Sequence, residues 1–272
     1  MTENTTPIQG RKALLLGAGY CSQTGDARRQ FRSFLGYCQN GLGYTSTDFF
    51  EISYNGSDKG ADWKPSPYLA LHTERPLQAS TQVFVRHLQW LDRVLPQENE
   101  IHLIGYSLAG CLFLSAACDL LRLDSAHWSQ RVASVTTLAS PHFGTNLDPG
   151  DGPIESLLSV FGELMVFPTT EAVMDLRNQA RDRTHRATVE RQAELLQQAG
   201  IRLLTLASET DAIVTPEESV IAPDHARSQY IVNTSGHGPI LESPEAWEMI
   251  GEVIGRQNPS PLRAGGAANL PG

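Results

Sequence analysis

The sequence predicts an α/β fold with a mostly parallel central sheet flanked by helices. Three observations predict it. Short runs rich in Leu, Ile and Val alternate with longer helical patterns, and strands covered on both faces read as continuous apolar runs. The chain has 272 residues, 40% of them hydrophobic and 19% charged, which is enough to bury a core without disulfides. No internal repeat points to a solenoid instead.

Taken in order, strands are expected at 12–16, 48–53, 101–105, 132–139 and 202–207, with a sixth at 229–233. Helical periodicity fills 25–39, 77–95, 108–121, 187–199 and 243–255. Ser243 and Pro244 read as the N-cap and first residue of the last helix. The interval 141–200 separates two consecutive strands by about sixty residues, far beyond a usual connection, so a helical insertion is expected there. Its first part, 154–167, is apolar on more than one face and would suit a lid; 170–186 is heavily charged. One main domain is thus expected over 12–256. The Pro, Gly and Ala content of 257–272 predicts a disordered tail.

The formal charge of −9 gives no basic stripe for phosphates, so neither nucleic acid nor an anionic membrane is an expected partner. The polar start and a first apolar run of only 13–16 supply neither a signal-peptide core nor a membrane span, and a cytoplasmic protein is expected. Cys21, Cys38, Cys111 and Cys118 lack metal-ligand spacing, so no metal site is expected. Cys111 and Cys118 lie two turns apart on one helix, about 10 Å, too far for a disulfide. Pairing of Cys21 with Cys38 stays open.

The chemistry-bearing motif begins where the strand Ile101-His102-Leu103-Ile104 runs into Gly105-Tyr106-Ser107-Leu108-Ala109-Gly110 and then a helix. A serine at the apex of a sharp strand-to-helix turn sits in strained backbone geometry and needs small neighbours two positions away, here Gly105 and Ala109. The N–H of Leu108 would then face a developing oxyanion. Two further segments follow in order. The strand 202–207 leads into Ser208-Glu209-Thr210-Asp211, and the strand near 230 leads into Ser235-Gly236-His237-Gly238. Asp211 is the expected acid, with Glu209 its nearest competitor, and His237 the expected base that accepts the proton of Ser107.

These residues resemble the nucleophile elbow G-x-S-x-G, and the order Ser, acid, His, of the α/β-hydrolase superfamily, in particular its lipase- and carboxylesterase-like serine hydrolases; Ala109 stands where the final glycine is usual. The resemblance spans roughly 12–256. It implies the α/β-hydrolase fold, a lid-like insertion, an acyl-enzyme mechanism without a cofactor, and a small-molecule ester or acyl substrate with an apolar moiety. It also implies that Ala18 or Gly19, in the loop Leu16-Gly17-Ala18-Gly19-Tyr20-Cys21, supplies the second oxyanion donor, although the His-Gly pair common there in lipases is missing. By the same register Tyr20, Cys21, Tyr106, His142 and Phe143 are expected at the pocket rim, His142 and Phe143 within a Pro-His-Phe-Gly-Thr segment resembling one in bacterial lipases.

Three rivals accompany this reading. An acyltransferase, thioesterase or cyclase would use the same three residues. A non-catalytic binding protein could share the fold. Gly17-x-Gly19 after a strand also begins a dinucleotide-binding fingerprint, yet the third glycine position holds Ser22 and no acidic residue ends the second strand. His102 is expected in the core, while His72, His87, His127, His185 and His225 have no evident partners in the sequence.

Overall fold

The computed structural model describes residues 10–59, 62–145, 170–221, 228–234 and 236–257. Six strands form one sheet in which every pair is parallel: β1 (Lys12–Gly17), β2 (Phe49–Glu51), β5 (Glu100–Tyr106), β6 (Val132–Leu138), β7 (Arg202–Ser208) and β8 (Ser228–Val232). Their spatial order is β2-β1-β5-β6-β7-β8. A separate antiparallel hairpin, β3 (Gly56–Lys59) with β4 (Asp62–Pro65), has no counterpart in the sequence expectations.

The continuous apolar runs are explained by burial on both faces. One face carries Leu15, Leu103, Val135 and Leu203 against the helices Leu77–Val94, Leu108–Leu123 and His185–Gln198. The other carries Leu14, Leu16, Ile104, Leu138 and Leu204 against Arg32–Leu42 and Pro244–Ile254. Truncating one of these leucines to alanine removes about 2–5 kcal/mol. The Arg11 guanidinium grips both Asp48 carboxylate oxygens at 2.6 and 2.8 Å, fastening the start of β1 to the start of β2.

Boundaries differ from the sequence expectations for local reasons. The helix expected over 25–39 is two, Asp26–Gln30 and Arg32–Leu42, separated at Phe31, whose φ of −88° and ψ of 12° leave the helical region. The strand expected to reach 139 stops at Leu138 because Ala139 has φ 46°. Ser243 caps the last helix as expected, its Oγ accepting the N–H of Ala246 at 3.3 Å, with Pro244 first in the helix. The charged stretch 170–186 holds a helix, Glu171–Arg181, that its composition did not announce; Ala172, Val173 and Leu176 form its buried face. The apolar stretch 154–167, read as lid-like, lies outside the described residues, as does 258–272. Gln257, placed in the expected tail, is instead buried, its side-chain amide bonded in both directions to the backbone of Lys12 at 2.8 Å. None of the four cysteines is in a disulfide, which closes the question of Cys21 with Cys38.

From β1 the chain crosses to β2 on one side, and from β5 onward it proceeds to β6, β7 and β8 on the other. The carboxyl ends of β1 and β5 therefore flank a reversal of strand order, where loops diverge and leave a crevice. That crevice holds the candidate site.

Candidate active site

β5 delivers Ser107 to the apex of the turn with φ 53° and ψ −126°, and the next residue opens the helix Leu108–Leu123. A side chain held there costs on the order of 1–3 kcal/mol, so the surroundings must enforce the geometry. They do so through backbone bonds: the Ser107 N–H donates to the Leu138 carbonyl at 2.8 Å and the Gly110 N–H donates to the Ser107 carbonyl at 3.0 Å. Gly105 is required because a Cβ there would stand 2.6 Å from the Gly110 backbone. Ala109, in place of the usual glycine, is itself at the limit of the space. A Cβ on Gly17 would come within 2.6 Å of its methyl.

The residues expected as acid and base, Asp211 and His237, come from the loops after β7 and β8. The Nδ1 of His237 lies 2.6 Å from the Oδ2 of Asp211, with both side chains sealed from solvent. The other carboxylate oxygen of Asp211 accepts the N–H groups of Ile213 and Val214 at 2.8 and 3.0 Å, which fixes the carboxylate plane. With Nδ1–H donated to Asp211, the Nε2 of His237 is left as the acceptor. Glu209, the competing acid, is exposed and takes no part in this arrangement.

Ser107 and His237 line one cavity with Tyr20, Leu108, Pro141, Thr145, Val173, Leu176, Ile213 and Val214. No charged side chain is among these lining residues, so the wall suits an apolar group. The loop after β1 closes it on one side. A Cβ on Gly19 would stand 2.8 Å from the Cβ of Ser107 and 3.2 Å from its Oγ, so the backbone of Gly19 lies directly against the serine. The Ala18 carbonyl accepts the Tyr54 hydroxyl at 2.7 Å, anchoring the same loop from behind. Among the described residues, the N–H groups of Leu108, Ala18 and Gly19 have no hydrogen-bond acceptor.

Several solved structures share this shape. The chain matches a lipase-esterase related protein from Clostridium acetobutylicum at 16% identity and TM-score 0.54, over 89% of this chain and 94% of that one. A structure reported with the metagenome-derived lipolytic enzymes LipS and LipT matches at 15% and 0.53, over 91% and 94%. The chain has the α/β-hydrolase fold. A 2-hydroxy-6-oxo-6-phenylhexa-2,4-dienoate hydrolase from a Rhodococcus species is similar at 15% and 0.51, over 90% and 91%. No protein-family model and no curated protein sequence matches the chain.

On this α/β-hydrolase scaffold the residues expected at the rim divide. Tyr20 is on the cavity wall, and its hydroxyl meets Thr170 Oγ1 at 3.1 Å; burial pushes the phenol up to about 12. Cys21, Tyr106, His142 and Phe143 are not among the lining residues. Cys21 turns aside at φ 60°, its N–H held by Thr73 Oγ1 at 2.9 Å. Tyr106 lies behind the site, its ring 4.9 Å from that of His237, and its buried hydroxyl has no hydrogen-bond partner among the described residues. His142 is buried, with Nε2 2.9 Å from the Thr137 hydroxyl of β6 and its carbonyl 2.9 Å from the Nε2 of His185. Burial, reinforced by His185, pushes His142 down to about 3, so it stays neutral. Phe143 sits under the guanidinium of Arg186, 3.7 Å above its ring.

Sequence reasoning missed Val173 and Leu176, which the helix Glu171–Arg181 contributes to the cavity. Thr170 caps that helix, and Asp175 accepts the Leu77 N–H at 2.9 Å. The signal available was the spacing of Ala172, Val173 and Leu176 on one helical face. Four of the five histidines thought to lack partners have them, His72 through its Nδ1, which accepts the Leu69 N–H at 2.9 Å, while His225 lies outside the described residues. His87 Nδ1 accepts the Ser53 N–H at 3.0 Å, His127 Nε2 meets Asp92 at 3.0 Å, and His185 meets the His142 carbonyl. His102 is in the core as expected, 2.8 Å from Ser134 Oγ. Among the described residues no helix is long and apolar enough to cross a membrane, and no cluster of His, Cys, Asp or Glu is arranged to hold a metal.

Proposed function

We propose that this protein is a serine hydrolase of carboxylic esters, with Ser107 as nucleophile, His237 as general base and then acid, and Asp211 as the group that orients the imidazole. The observation that carries the reading is that His237, paired with the buried Asp211 behind it, lines the same cavity as a serine held at φ 53°. Ser107 Oγ attacks the ester carbonyl while its proton passes to His237 Nε2. The oxyanion is received by the Leu108 N–H and by an N–H of the loop at Ala18 and Gly19, with Gly19 favoured by its contact with Ser107. His237 returns the proton to the departing alcohol, then takes one from the water that attacks the acyl-enzyme, and gives it to Ser107 Oγ as the serine–acyl bond breaks and the acid leaves. The substrate is a small molecule with an apolar acyl or alcohol group, matched to Leu108, Val173, Leu176, Ile213 and Val214.

Purified protein is tested on p-nitrophenyl esters of increasing acyl length beside Ser107→Ala and His237→Ala. Turnover in the wild type that falls by at least about 10³-fold in either variant is expected. A wild type inert to every ester and unlabelled by a fluorophosphonate would overturn the proposal and bring acyl transfer or non-catalytic binding forward.

A further inference from the structure

The acid and base occupy different loops, and β7 and β8 stop pairing at Ser208 with Val232. Among the described residues β8 is an edge strand, bonded within the sheet to β7 alone. Beyond it the chain reaches His237 through Gly236 at φ 102°, a position with no side chain to pack. Backbone pairing therefore ends three residues before Asp211 on one strand and five before His237 on the other. Yet the imidazole and carboxylate meet at 2.6 Å.

Three hydroxyls bridge this gap. Ser208 Oγ donates to the Thr234 carbonyl at 2.9 Å, and Thr210 Oγ1 donates to the same oxygen at 3.1 Å. In return Thr234 Oγ1 donates to Ser208 Oγ at 2.7 Å. Glu209 adds its N–H to the Val232 carbonyl at 3.0 Å. Ser208 stands three residues before Asp211, and Thr234 three before His237, so the crossing ties equivalent points of the two loops. Ser208 is fully buried, where an unpaired hydroxyl would be costly, and its place in the crossing satisfies it.

We propose that Ser208, Thr210 and Thr234 form a hydroxyl latch that fixes the acid loop to the histidine loop, making Ser208 and Thr234 positioning residues for the Asp211–His237 pair. The proposal rests on the reading of that pair as catalytic. Its geometric part, the holding of His237 against Asp211, stands independently of substrate. Thr234→Val keeps the shape and removes the crossing donor; Thr234→Ser restores it. Ser208→Ala removes the buried hub, and Thr210→Val removes the outer bond from an exposed position where folding is not at stake.

Two readouts are taken on wild type, Thr234→Val, Thr234→Ser, Ser208→Ala and Thr210→Val. One is kcat and KM on the best p-nitrophenyl ester. The other is the far-downfield proton NMR signal of His237 Nδ1–H, which reports its bond to Asp211 whatever the activity. In Thr234→Val and Ser208→Ala, kcat falls about 10- to 100-fold with KM unchanged, because loosening moves a reacting group without altering the cavity wall. The downfield signal broadens in the same two variants, Thr210→Val shows a smaller effect, and Thr234→Ser recovers both readouts. Wild-type kcat and an unbroadened signal in Thr234→Val and Ser208→Ala would overturn the latch. Should one of these two fail to fold, the other and Thr210→Val decide. If the wild type hydrolyses no ester, the esterase proposal fails by itself and the NMR signal alone judges the latch.

Discussion

Replacing Ser107 by glycine and by alanine separates the strain stored at the elbow from the chemistry carried by its hydroxyl. Both variants lack Oγ, and on the proposed function both are expected to lose turnover. Alanine keeps a Cβ at φ 53° and ψ −126°, whereas glycine adopts such a conformation freely. Relief of about 1–3 kcal/mol of strain is offset by the roughly 0.5–1 kcal/mol that glycine loses through its extra freedom in the unfolded chain. Ser107 opens on the cavity, so losing the methyl leaves no new sealed void. A net gain of about 0.5–2 kcal/mol remains. At about 2.1 cal/mol/K of unfolding entropy per residue, a chain of 272 residues gains close to 2 °C per kcal/mol. Ser107→Gly is therefore expected to melt about 1–4 °C above Ser107→Ala by calorimetry. A glycine variant that melts at or below the alanine variant would refute the argument that this residue is held under strain.

Other consequences follow from single contacts. Gly19→Ala places a Cβ 2.8 Å from the Ser107 Cβ, well inside the ordinary 3.5–4.0 Å; displacement of the serine by nearly 1 Å should lower kcat about 100-fold and, because that Cβ is held by the backbone, cost about 1–3 kcal/mol of stability, read by ester turnover beside thermal melting. Tyr106→Phe removes a buried hydroxyl that has no partner among the described residues and should raise stability by about 1 kcal/mol or more in denaturant titration while ester turnover persists; a less stable variant would mean that the hydroxyl is bonded in solution. His87 and His142 are held by burial at about 3, with His185 adding to the effect on His142, against about 6.5 in the unfolded chain. Their contribution to stability is complete above about pH 6.5 and is lost as pH falls toward 3, because only the unfolded chain then takes up the protons. Between pH 7 and 5 each costs about 2 kcal/mol, and denaturant titrations at the two pH values should show His142→Gln losing correspondingly less than the wild type.

The strands were legible in the sequence because parallel strands covered on both faces must be apolar throughout, as in Ala13-Leu14-Leu15-Leu16 and Ile101 to Ile104. The elbow was legible because strand, glycine, serine and small residue occur within a few positions of one another. The hairpin Gly56–Lys59 with Asp62–Pro65 was not, since its segments carry too few apolar residues to show a period. The helix Glu171–Arg181 lies within the helical insertion expected over 141–200, but its position was not legible because most of its residues are charged or polar, while three apolar side chains suffice to seat it.

By itself the sequence determined the kind of fold, the order of its strands along the chain, and three residues whose types and order suit acyl chemistry, because these depend on local composition and on succession. Tertiary structure alone decided that Asp211 rather than Glu209 meets His237, that Gly19 lies against Ser107, and that Tyr106 and His142 sit behind the cavity instead of around it. Those outcomes depend on which way each side chain leaves its strand or loop once the sheet is assembled. A shift of one residue in register sends a side chain to the opposite face, and nothing in the local sequence fixes the register of segments that meet across a hundred residues.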